Sequence, residues 1–300
     1  MQWQTDWGLR GRMVFTGFLL FALYIVFAGL LVAYFGNIVP MLVMLGGFSL
    51  VQYYFSDTLA LKSMGARTVD ENEYPELHDT ITRLSRQADL PKPTVAVTDS
   101  RVPNAFAAGR NQKNATVCVT TGILQALSEE ELEGVLAHEL AHIKNRDVMV
   151  MTIASFLSTL AFIVVRWGWL FSGGGDARNQ APVWVAILVS LVVWVISFLL
   201  IRALSRYREY SADRGAAMIT GKPSALASAL MTISGRMDKV PKEDMREQAE
   251  MNAFFIIPIR SGFIGKIAST HPSTENRIEK LRDLERELET GSPSGRSVPA

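Results

Sequence analysis

Four windows of this chain, residues 13–35, 38–55, 148–165 and 181–201, contain no Asp, Glu, Lys or Arg. As helices, windows of 18 to 23 residues reach roughly 27–35 Å, enough to cross a hydrocarbon core of about 30 Å. All 30 Lys+Arg and 29 Asp+Glu therefore fall in the remaining segments. A charge-free run of 23 residues is too long to sit comfortably in the core of a soluble domain, so the windows are read as membrane spans. A mean hydropathy of +0.18 agrees. This division stands against a single soluble globule, a disordered chain and a collagen-like chain. The net charge of +1 gives no support to a nucleic-acid partner, and the lone Cys118 excludes an intramolecular disulfide or a Cys-rich zinc framework.

Only Gly36 and Asn37 separate the first two windows, which predicts a helical hairpin. Arg10 and Arg12 before the first window resemble the start of a signal peptide. Its apolar run is too long, however, and no small-residue cleavage site follows, so it is read as an uncleaved anchor. Four spans put the N-terminus, residues 56–147 and everything after 201 on one side. That side carries ten Lys/Arg near the span ends against two, Arg166 and Arg178, on the other, which places the polar mass in the cytoplasm.

The expected organisation is an N-terminal flank and hairpin over 1–55, a first polar block over 56–147, a second hairpin over 148–201, a second polar block over 202–290 and a disordered tail over 291–300. The fold class is mainly α with a small β-sheet, and the two polar blocks fold together as one domain. Glu71–Gln87 reads as an amphipathic helix on Leu77, Ile81 and Leu84, which leaves His78 solvated. Thr94–Thr98 and Ala115–Thr120 read as strands, 202–219 as a helix continuing the fourth span, and Glu275–Leu288 as a charged helix. Segment 236–263 reads as a connector, a flap or a membrane-skimming loop.

The chemistry centres on His138-Glu139-Leu140-Ala141-His142, inside a helix opened by the capping box of Ser128 and Glu131. Histidines four apart share a helix face and can reach one metal ion, while Glu139 is turned about 100° away. A catalytic zinc site needs a third protein ligand. Glu209 is the candidate, on a helix face shared with Asp213. His142 lies six residues before the third window and Glu209 eight after the fourth. Unbroken helices would hold both within about 9–12 Å of the membrane surface. Asp147, five residues after His142, could orient a histidine through its second ring nitrogen, but reads first as a solvated carboxylate at a helix end.

With these motifs in place, the chain resembles the HtpX-type integral-membrane zinc metallopeptidases over nearly its whole length. The resemblance rests on the order of the apolar spans, Asn104-Ala105-Phe106-Ala107-Ala108-Gly109, His138–His142, Glu209-x-x-x-Asp213 and His271-Pro272-Ser273. It implies a cytoplasmic zincin-like peptidase domain binding one Zn2+ per chain through His138, His142 and Glu209, with Glu139 as general base. It further implies that Asp213 orients His138, that His271 stabilises the oxyanion, and that Asn104, Ala105, Phe106 and Ala107 form a strand pairing with substrate backbone.

The function implied is ATP-independent endopeptidase activity at the cytoplasmic face of the cell membrane, removing unfolded or misassembled membrane proteins under stress, together with self-cleavage. No nucleotide partner is expected: Gly221-Lys222 has the wrong spacing for a P-loop, and Pro223 stands where Ser or Thr is needed. Two other readings are a CAAX prenyl-protein peptidase, and a membrane scaffold or transporter with an inactive zinc site.

Overall fold

The computed structural model describes residues 6–35, 39–167, 183–237 and 272–290. The elements run, in chain order, α1 (Trp7–Phe35), α2 (Val39–Tyr54), α3 (Ser56–Ser63), β1 (Arg67–Thr68), α4 (Pro75–Gln87), β2 (Thr94–Thr98), β3 (Ala105–Asn111), β4 (Asn114–Thr120), α5 (Thr121–Ala126), α6 (Glu129–Lys144), α7 (Asp147–Trp167), α8 (Val183–Thr220), α9 (Pro223–Met237) and α10 (Thr274–Thr290). The fold is mainly helical with one small mixed sheet. Two compact units emerge. One combines α1, α2 and the chain from Met149 to Tyr207; the other combines Ser56–Val148 with the chain from Arg208 onward.

Where they are described, the charge-free windows are helical except at Phe55, which lies in a turn. Trp7–Ala33 (27 residues) and Trp184–Thr220 (37 residues) are long and apolar enough to cross a membrane. The other two windows lie in α2 and α7, of 16 and 21 residues. Large apolar side chains face outward, among them Phe15, Phe18, Phe21 and Ile25 on α1 and Leu188 and Leu199 on α8. Leu20, Tyr24, Ala154 and Leu204 pack inward, and the Tyr24 hydroxyl donates to the Ala154 carbonyl at 2.7 Å.

The second unit is built around a sheet of order β1-β2-β4-β3. β2 and β4 are parallel, with Val95 opposite Val117; β3 and β4 are antiparallel, with Ala107 opposite Val117. Among the described residues β3 is therefore an edge strand. At its end Gly109 adopts φ +136°, and a Cβ there would lie 2.2 Å from the Asn114 carbonyl oxygen, so only glycine fits this bulge. The predicted strand Thr94–Thr98 is β2, and the predicted Ala115–Thr120 lies within β4.

The capping box forms as expected: Ser128 N–H donates to Glu131 Oε2 at 3.0 Å, and Glu131 N–H donates to Ser128 Oγ at 3.4 Å. From this start α6 packs on β3, β4, α4 and α9. A Cβ on Gly134 would stand 2.8 Å from the Leu226 backbone nitrogen, so the approach of α9 depends on that glycine. α4 begins at Pro75 rather than at Glu71, because Asp70 Oδ1 accepts from the Asn72 and Glu73 N–H groups and holds a turn there. His78 is a correction to the sequence reading. It is buried on the face shared with Ile81 and Ser85, and its Nε2 lies 3.1 Å from the Val69 carbonyl oxygen. Segment 238–271 and the tail from Gly291 lie outside the described residues.

Candidate metal centre

α6 and α8 converge through their side chains. On α6, one turn apart, the His138 and His142 rings stand edge to face with centroids 4.6 Å apart and their Nε2 atoms 3.1 Å apart. From α8, Glu209 places Oε1 3.5 Å from His142 Nε2 and Oε2 3.6 Å from His138 Nε2. One donor atom from each of the three residues lies within 4.8 Å of the other two, so the group could bind a metal. Ligands about 2.1 Å from a tetrahedral ion would be about 3.4 Å apart. The observed separations bracket that value. Glu209 is buried and turned to the imidazoles.

The tautomers favour the same conclusion. Asp213 Oδ1 lies 3.0 Å from His138 Nδ1, and Asp147 Oδ2 lies 2.5 Å from His142 Nδ1. A carboxylate at Nδ1 keeps the proton on that nitrogen, which leaves both Nε2 lone pairs pointing at one another. Such lone pairs repel unless a positive charge, either a metal ion or a shared proton, stands between them. Burial alone would lower the pKa of His138, but the Asp213 and Glu209 carboxylates outweigh it and hold the ring at about 9. The cluster is thus a place where positive charge is stabilised.

Glu139 is buried beside this group. Its carboxyl is raised above the usual range, chiefly by burial and further by Glu209, against the pull of the two imidazoles and the Ala107 N–H. That last contact joins the carboxylate to the middle of β3. Of the four β3-region residues predicted to meet substrate, Asn104, Ala105 and Phe106 are buried and Ala107 is partly exposed. The Asn104 N–H donates to Thr120 Oγ1 at 2.9 Å, and its carbonyl accepts from the Thr120 N–H at 2.9 Å. These residues anchor the strand, and what β3 can offer at its edge is backbone. His271 lies outside the described residues.

One side chain escaped the sequence reading. Arg277 on α10 is 1% exposed and grips Asp213, with Nη2 donating to Oδ1 at 2.6 Å and Nε to Oδ2 at 2.9 Å. Its Nη1 is 3.6 Å from Glu209 Oε2. Burial would raise the Asp213 carboxyl, but Arg277 and His138 outweigh it and hold it low. The signal was spacing: Thr274, Arg277, Leu281 and Leu284 form one buried stripe, so the arginine stands where an apolar residue is due. Asp147 is a correction. It is buried, not solvated, between His142 and Arg208, whose Nε lies 3.0 Å from Asp147 Oδ1.

A pair of imidazoles and a carboxylate around a shared point, with a buried glutamate alongside, define a metallopeptidase site. Comparisons with known proteins agree. Residues 71–285 match the model of peptidase family M48. The chain is 55% identical over 290 residues to protease HtpX homolog 2 of Methanosarcina mazei, covering 96% of this chain and 99% of that one. It is 52% identical over 294 residues to the protease HtpX homolog of Moorella thermoacetica, covering 95% and 97%. The crystal structure of S. mikatae Ste24p shares the fold at TM-score 0.54 and 16% identity, covering 88% of this chain and 62% of that one. The chain belongs to peptidase family M48 and is an HtpX-type metalloprotease.

Proposed function

We propose that the protein is an ATP-independent, multi-pass membrane endopeptidase. It hydrolyses exposed segments of misfolded or damaged membrane proteins at the cytoplasmic face, as part of protein quality control under stress. The observation that carries this reading is the convergence of His138, His142 and Glu209 within 4.8 Å beside the buried Glu139. The membrane placement rests on the outward Phe and Leu side chains of α1 and α8, which hydrocarbon tolerates and water does not, and on the excess of Lys/Arg on one side of the spans. We take all four charge-free windows to be spans.

His138, His142 and Glu209 would hold one zinc ion; their two imidazoles and one carboxylate are a donor set that suits zinc. When bound, zinc supplies Lewis acidity toward the scissile carbonyl and toward water. Glu139 accepts the proton of the attacking water and returns it to the departing amine, and its raised carboxyl suits both transfers. A substrate segment laid along the β3 edge pairs through its backbone, largely without regard to its side chains, and its scissile bond comes next to Glu139. Asp213, gripped by Arg277, keeps the His138 lone pair aimed at the metal position. His271, just ahead of α10, is assigned to the oxyanion. Self-cleavage follows if a mobile segment of one copy reaches the β3 edge of another.

The test is metal analysis combined with cleavage of casein and of a membrane protein, wild type against Glu139→Gln. Retained metal with activity lost is the expected result; full activity in the variant would remove Glu139 from this role. Cleavage of a prenylated peptide in preference to unfolded protein would favour the CAAX reading instead. An inactive wild type at full metal occupancy would favour the scaffold.

A further inference from the structure

His138 and His142 each stand beside an aspartate and an arginine, though only His142 Nδ1 makes a hydrogen bond to its aspartate. Each ring presents Nδ1 to a buried aspartate, and each aspartate meets an arginine: Asp213 with Arg277, and Asp147 with Arg208. The second set is made by chain geometry at the end of α6. Asn145 caps the helix, its N–H donating to the Ala141 carbonyl at 2.9 Å, and Arg146 adopts φ +56°. That left-handed step turns the chain at once, so Asp147, the first residue of α7, comes back against His142 only five positions earlier. Strain of this kind at a non-glycine residue persists where surrounding contacts demand it.

The arginine comes from α8. Arg208 immediately precedes Glu209, so the helix that carries the glutamate into the centre carries the counter-charge for Asp147 with it.

We propose that Asp147 and Arg208 form a positioning pair for His142: Asp147 fixes the ring's tautomer and direction, and Arg208 fixes Asp147. In this arrangement α8 sets two corners of the metal centre at once, Glu209 directly and His142 through Asp147. The inference rests on reading His142 as a metal ligand.

The experiment uses the full-length protein in detergent, with zinc affinity from chelator competition and the visible spectrum after cobalt(II) substitution. Asp147→Ala is expected to weaken zinc binding about 10- to 100-fold. It should also alter the cobalt spectrum and lower kcat with little change in KM. Asp147→Asn should fall between, because its amide oxygen still accepts from Nδ1–H but carries no charge. Arg208→Ala should move every readout in the same direction by less, Arg208→Lys should recover part of the loss, and Asp147→Ala/Arg208→Ala should be no worse than Asp147→Ala alone. Should Asp147→Ala not fold, Asp147→Asn carries the same readouts. Wild-type zinc affinity and an unchanged cobalt spectrum in the Asp147 variants would overturn the proposal, even if their thermal stability fell. A His142→Ala variant with undiminished zinc would instead sink the reading of the centre on which it rests.

Discussion

The two units of this chain follow opposite burial rules. In the unit that holds the candidate metal centre, Ile81, Val117, Leu136 and Ile233 are wholly buried, and the buried Asp213 and Arg277 are paired with each other. In the other unit Phe18, Phe21, Ile153 and Leu199 face outward, while Ser190 and Ser197 are wholly buried. One chain therefore carries surfaces made for two solvents. Where the surroundings are water, apolar groups hide from them. Where they are hydrocarbon, apolar groups face them and polar groups look inward, as the Tyr24 hydroxyl does toward the Ala154 carbonyl.

The contrast breaks most severely at the internal charges. Glu209→Ala removes one of the three converging donors and leaves Arg277 beside an altered cluster. It should abolish bound metal in elemental analysis and reduce peptidase activity by at least about 1,000-fold, roughly 4 kcal/mol in barrier terms. Retention of stoichiometric metal would show that the carboxylate is no ligand.

Substitutions in the two packing environments come next. Leu136→Ala, in the water-facing unit's core, should cost about 2–5 kcal/mol in chemical denaturation of the detergent-solubilised protein. Phe18→Arg puts a charge on the outward face of α1. If that face meets lipid, the change should cost about 2.5–3.5 kcal/mol in a membrane-insertion assay. Insertion as efficient as wild type would mean that this surface faces water or a protein partner, and the contrast between the units would then fail.

The smallest effect concerns Cys118, wholly buried on β4, where burial pushes the thiol up to about 12. It should resist alkylation at pH 8 in the folded protein and react once denatured. The folded state holds this proton more tightly than the unfolded chain, so its contribution is complete below about pH 9 and declines as pH rises through 12. At pH 10 the loss is about 1 kcal/mol. Cys118→Ser should remove that part of the alkaline sensitivity.

The pattern-bearing parts of the molecule were legible in the sequence, because the pattern is local. Charge-free windows, the Ser128–Glu131 capping box, the β-branched run Thr94–Thr98 and histidines four residues apart each declare themselves within a few turns of chain. Glu209 was within reach because the spans suggested a common depth for α6 and α8. His78 was misjudged because it sits among charges in sequence, yet shares the face of Ile81 and Ser85 in the folded helix.

Tertiary structure alone decided how the charges are kept inside. The five-residue spacing of His142 and Asp147 allowed a contact, but nothing in the sequence announces the left-handed step at Arg146 that makes it, or that Arg208, 61 positions later, will meet Asp147. Nor does α10, whose spacing turns Arg277 inward, reveal that the partner waiting there is Asp213, 64 residues away. Helix and strand periods are properties of adjacent residues, whereas burying an ion requires an opposite charge brought in from elsewhere in the chain. The sequence by itself determined which helices form and which residue types could hold a metal; the assembled unit determined which charges stand together.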